Sequence, residues 1–221
     1  MKNLLYILLV LLLISSSCGK PDNCPEEFVL PSAQLFPYDS VYQIGDTINL
    51  FSKFSKYVYE KNTETTYNME NIIWTASMGI IRIDSGKTGE DANRTKVEDY
   101  FSVINCSDSE SLWYTYSTGA TALELTYKLD NDSFRISFSM IPKRKGVLII
   151  AFGGGVYESN QEFEGKCKNI AFSGGTPFNE GKDNNIYLLK ESPIPHYNNW
   201  ILQKPEERFY KHRYFALRII E

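Results

Sequence analysis

Both arms of "TALELTYKLDNDSFRISFSMI", Thr121 to Ile141, alternate strictly about a polar turn, and no other feature constrains the fold of this chain as much. Leu123, Leu125 and Tyr127 alternate with Glu124 and Thr126, while Phe134, Ile136, Phe138 and Met140 alternate with Arg135, Ser137 and Ser139. Successive side chains of a strand point to opposite faces, so each arm offers one apolar face to a core. Asp130-Asn131-Asp132 supplies the turn between them. Other segments read the same way. "VYQIGDTINLFSKF" places a Gly45-Asp46 turn between two short strands, and "VLIIAFGGG" is apolar throughout, as a central strand covered on both faces would be. "NIAFSGG" and "NIYLLK" read as two further short strands, and "YFALRII" as a closing one. Pro205 in "KPEERFYKHR" occupies a permitted first-turn position with two glutamates behind it, which predicts one or two helical turns. The chain lacks the crossover helices of a parallel sheet, and its 31 aromatic residues suit strands. The expected fold is mainly β, an immunoglobulin-like antiparallel β-sandwich with a short C-terminal helical segment, over residues 38–221.

The N-terminal segment is different in kind. Its apolar run, Leu4 to Ile14, at ~1.5 Å per helical residue covers only about half of a ~30 Å hydrocarbon core. With Lys2 before it and small residues after it, the run has the make-up of an export signal. Ser15, Ser16, Ser17 and Cys18 then resemble a relaxed form of the lipobox of bacterial lipoproteins. That resemblance implies a signal peptide over residues 1–17 and a diacylglycerol on the Cys18 thiol. Gly19 stands where an aspartate would retain a lipoprotein in the inner membrane, so the resemblance implies the outer membrane, on its periplasmic face or at the cell surface. Lys20, Asp22, Glu26 and Glu27 are similar to the acidic tag of surface-exported lipoproteins. Pro21, Pro25, Pro31 and Pro37 make residues 18–37 read as a lipidated, extended tether. "YQIGDTINL", Tyr42 to Leu50, resembles the opening strand of small Gram-negative envelope lipoproteins with β-sandwich bodies. This implies fold and location, and no chemistry.

Charge and motif content narrow the function. Removing Lys2 with the leader takes the net charge from −4 to −5, which argues against nucleic acid as a partner. Cys24, Cys106 and Cys167 form no CxxC pair and have no neighbouring histidine, so neither a metal nor another cofactor is expected. In an oxidising envelope Cys106 and Cys167 are candidates for a disulfide across the domain, with Cys24 as an alternative partner. His196 and His212 carry no nucleophile motif beside them, and "IRIDSGKTG" and "GGTPFNEGKD" only mimic a phosphate-binding loop, so no catalytic residue is assigned. The run Gly153-Gly154-Gly155 reads as a bulge or loose turn, or else as an anion nest. The leading expectation is a non-catalytic, lipid-anchored protein, held to the membrane through Cys18, whose sandwich contacts another envelope protein or a surface assembly. The alternative is a glycan-binding module, with Trp113, Tyr114 and Tyr116 as a stacking platform and Trp74 and Trp200 as further candidate rings. A second alternative is a carboxylate-dependent hydrolase, for which no spacing selects a pair of acids.

Overall fold

The computed structural model describes residues 24–86, 94–104 and 109–221. Cys18, the leader and the first part of the expected tether lie outside the described residues, as does Cys106. The alternating hairpin forms as expected. Strands β11 (Thr121–Asp130) and β12 (Ser133–Pro142) pair at their tip through Lys128 with Arg135, Leu129 with Phe134 and Asp130 with Ser133. Beyond the tip they part into two sheets. β12 joins β2 (Gln34–Phe36), β4 (Ile48–Ser55) and β9 (Phe101–Ile104). β11 joins β3 (Val41–Gln43), β7 (Trp74–Arg82), β10 (Ser109–Thr115), β13 (Gly146–Val156) and β15 (Tyr214–Ile220), in the order β10-β11-β7-β13-β15-β3. Leu123, Leu125, Tyr127, Phe134, Ile136, Phe138 and Met140 all enter one buried cluster between the sheets. The protein is therefore mainly β, a multi-sheet β-sandwich. β3 runs parallel to β15, so the pairing is not wholly antiparallel.

β13 is central and covered on both faces. Leu148 and Ile150 enter the sandwich core, whereas Ile149 enters a second cluster with Ile81, Leu188, Leu189, Tyr197 and Phe209. The second cluster lies beneath helical turns at Ile186–Glu191, His196–Ile201 and Glu206–Tyr210, which add a third layer. "NIYLLK", expected as a strand, is the first of these turns. Asn184 and Asn185 take positive φ of 49° and 56°, and the Asn185 amide donates to the carbonyls of Asp39 and Ala216, turning the chain out of the sheet. In "NIAFSGG" only β14 (Ser173–Gly175) pairs, since Asn169 at φ 62° breaks the run before it.

The tether expectation is corrected for residues 24–37. β1 (Glu27–Val29) lies between β14, to which it is parallel, and β5 (Tyr57–Glu60), which also pairs β6 (Thr65–Asn68) in a small third sheet. Phe28, Leu30 and Leu35 are buried. Short three-residue strands among prolines bury one side chain each, too few to register as a period. The disulfide expectation is corrected too, because Cys167 bonds Cys24 and not Cys106, across a separation of 143 residues. Phe28 packs edge-on against Tyr67, Phe163 and Phe172, with centroids 5.8, 5.5 and 5.6 Å away, which brings the start of β1 against the loop that carries Cys167.

Candidate functional site

Directly paired residues in adjacent antiparallel strands share a face, so the register maps the outer side of the larger sheet. One row across it reads Leu112, Glu124, Ser77, Gly153; the next reads Tyr114, Ala122, Gly79, Ala151; a third contains Thr126, Thr75 and Gly155. The helical layer covers the Ile81 and Ile149 end of this face. Thr75, Ser77, Gly79, Glu124 and Thr126 at the other end remain partly exposed. There a groove of about 780 Å³ is bounded by Leu112, Tyr114, Tyr116 and Tyr157, with Glu124 and Thr126 among its lining residues. Leu112, Tyr114 and Tyr157 are 60, 48 and 64% exposed, large values for apolar and aromatic side chains.

The expected aromatic platform divides. Trp113 pairs with Leu123 and so lies on the opposite face from Tyr114, although it is 45% exposed at the rim of the sandwich. Tyr114 and Tyr116 stay together, with centroids 4.9 Å apart and planes at 79°, a corner rather than a flat stacking surface. Tyr157 was not singled out by sequence; only the register of β13 against β7 brings it to the groove, and no local signal marks it. Glu124 accepts a hydrogen bond from the Ser77 hydroxyl at 2.7 Å, and among the described residues no cation pairs with it. It is the one carboxylate lining the groove among the described residues.

β10 forms the rim of the groove and also an edge of the sheet. Its seven residues pair with β11, and among the described residues no strand lies on its other side. The remaining outermost strands of the two main sheets, β2, β3, β9 and β8 (Arg94–Thr95, paired with β7), have three, three, four and two residues.

The other candidates resolve into packing. Gly153–Gly155 form neither a bulge nor a nest but lie in register opposite Ser77, Ala76 and Thr75. A Cβ at Gly154 would stand 2.5 Å from the Thr176 hydroxyl, and the Arg213 guanidinium donates to the Gly154 carbonyl at 3.0 Å. Burial holds the Arg213 pKa below its ordinary value. Trp74 is fully buried, and Trp200, 46% exposed on the helical layer, stacks with His196 at 4.8 Å and has the Arg208 guanidinium 3.9 Å from its ring. His212 stacks on Tyr214. Among the described residues no group of acids, histidines and cysteines is placed to hold a metal, and no helix is long and apolar enough to cross a membrane.

No protein-family model and no curated protein matches the chain. Among solved structures, it is similar to the reeler domain of human F-spondin, at 12% identity and a TM-score of 0.30, covering 74% of this chain and 91% of that one. It is also similar to a type II cohesin domain from the cellulosome of Acetivibrio cellulolyticus, at 6% identity and a TM-score of 0.28, covering 66% and 94%. Likeness at this level says nothing about what the chain binds.

Proposed function

We propose that this chain is a non-catalytic envelope protein, anchored in the outer membrane by lipid on Cys18, whose sandwich binds a partner protein by accepting one of its strands at β10. The observation that carries the reading is that edge. An unpaired strand exposes a row of N–H and C=O groups, and folded proteins ordinarily shorten, charge or cover such edges. β10 is long, and Leu112, Trp113 and Tyr114 make it exposed and apolar in sequence, which suits an extended partner segment held by main-chain hydrogen bonds. The perpendicular tyrosines and the reversed Trp113 favour this reading over a flat sugar platform. The Cys24–Cys167 bond supports export, since such bonds persist in oxidising compartments.

A photo-crosslinking phenylalanine analogue at Trp113, in cells of the native host, tests the proposal. We expect a discrete adduct with another envelope protein, and none from the same analogue at Tyr187, which is exposed on the helical layer. Equal adducts from both positions, or none from position 113, would overturn it.

A further inference from the structure

We infer that the segment added to β10 carries a lysine or arginine whose cationic head enters the groove between Tyr114, Tyr116 and Tyr157 and meets Glu124. The inference rests on the strand-addition reading above. Alternate side chains of an added strand would lie on the same face as Leu112 and Tyr114. Glu124 sits one strand inward from β10, so at about 4.8 Å per strand its Cα is roughly 10 Å from that of the incoming residue, a gap for a long side chain. Thr75, Glu124 and Thr126, all partly exposed, line the groove between the tyrosines, and the two threonines are too short to fill that path.

The chemistry of the groove selects the charge. Tyrosine faces attract cations, and two rings meeting at 79° make a corner suited to a compact head group. Glu124 has no cationic partner among the described residues, so an apolar occupant would strip water from its carboxylate without replacing it. An acidic occupant would be repelled. A second copy of this chain would present Leu112 and Tyr114 on that face, and neither is a cation.

A displayed library of eight-residue segments, with threonine at alternate positions and the rest randomised, is to be selected on the full-length protein in detergent. We expect lysine plus arginine to exceed aspartate plus glutamate at least tenfold at one randomised position. For the best synthetic peptide, replacing that residue by norleucine should weaken binding at least fivefold. Glu124→Gln should do the same, with no further loss when both changes are combined. Tyr157→Leu should also weaken binding. Selection of acidic or apolar residues, or unchanged affinity in Glu124→Gln, overturns the inference. So does competition by neutral oligosaccharides for the groove, or a dimer joined through β10. Leu112→Pro and Trp113→Pro isolate the underlying reading. Neighbouring N–H groups point to opposite sides of a strand, so one of these prolines removes an outward donor while leaving the β11 ladder intact. If that folded variant binds the selected peptides normally, strand addition itself fails; if binding is lost but charge selection is absent, only the cation inference fails.

Discussion

At the residue scale, Glu60 shows how one side chain fastens the N-terminal stretch. Burial alone would raise its pKa. Hydrogen bonds from the Glu27 and Glu26 amides, at 2.8 and 3.0 Å, and from the Thr63 amide and hydroxyl, at 2.7 and 2.8 Å, outweigh it and lower the pKa from 4.5 to about 2. A carboxylate whose pKa falls on folding stabilises the protein above its unfolded pKa, and that contribution is lost as pH falls through the folded one. We therefore expect a loss of stability between about pH 4.5 and pH 2 that Glu60→Gln flattens. At pH 7 the variant should be about 1–3 kcal/mol less stable by urea denaturation, since it loses charge-assisted bonds. Glycines give a second contrast. Gly154→Ala meets Thr176 and should cost about 1–3 kcal/mol. Gly79→Ala meets nothing and should leave stability unchanged or raise it by about 0.5 kcal/mol.

Among the elements, the sequence was most legible where a strand was long and one of its faces was buried. The β11–β12 hairpin could be read directly because each arm repeats one period several times, and β13 and β15 because a nearly unbroken apolar run needs cover on both sides. β1 and β2 were not legible, since three residues show no period and their burial depends on partners far away in sequence. "NIYLLK" misled because an apolar run of that length fits a strand or a buried helical turn equally well. Within the site, alternation alone separates Trp113 from Tyr114, so that division was available from sequence. The approach of Glu124 and Tyr157 was not, because it needs the sheet register. The disulfide belongs to this scale as well. Cys24→Ser should cost about 2–4 kcal/mol, read by denaturation under non-reducing conditions, and peptide mapping should find Cys24 joined to Cys167.

For the whole molecule, the helical layer covers one end of the larger sheet and leaves the other end, with β10 as its rim, available for contact. The disulfide also changes how the proposed anchor works. With lipid on Cys18 and Cys24 bonded into the domain, five residues, Gly19 to Asn23, separate anchor from fold, and the six steps between the two cysteines span about 20 Å when fully extended. Under the anchoring proposal, Cys18→Ala should remove the acyl groups and release the protein from the outer-membrane fraction, as judged by mass spectrometry and fractionation. Acylated, membrane-bound Cys18→Ala protein would contradict the anchor. The claim that organises the rest is that β10 receives a partner strand. Amide hydrogen exchange with and without the crosslinked partner tests it most directly: residues 111–115 should show the largest gain in protection, whereas unchanged exchange there, with protection appearing over the helical layer, would contradict it.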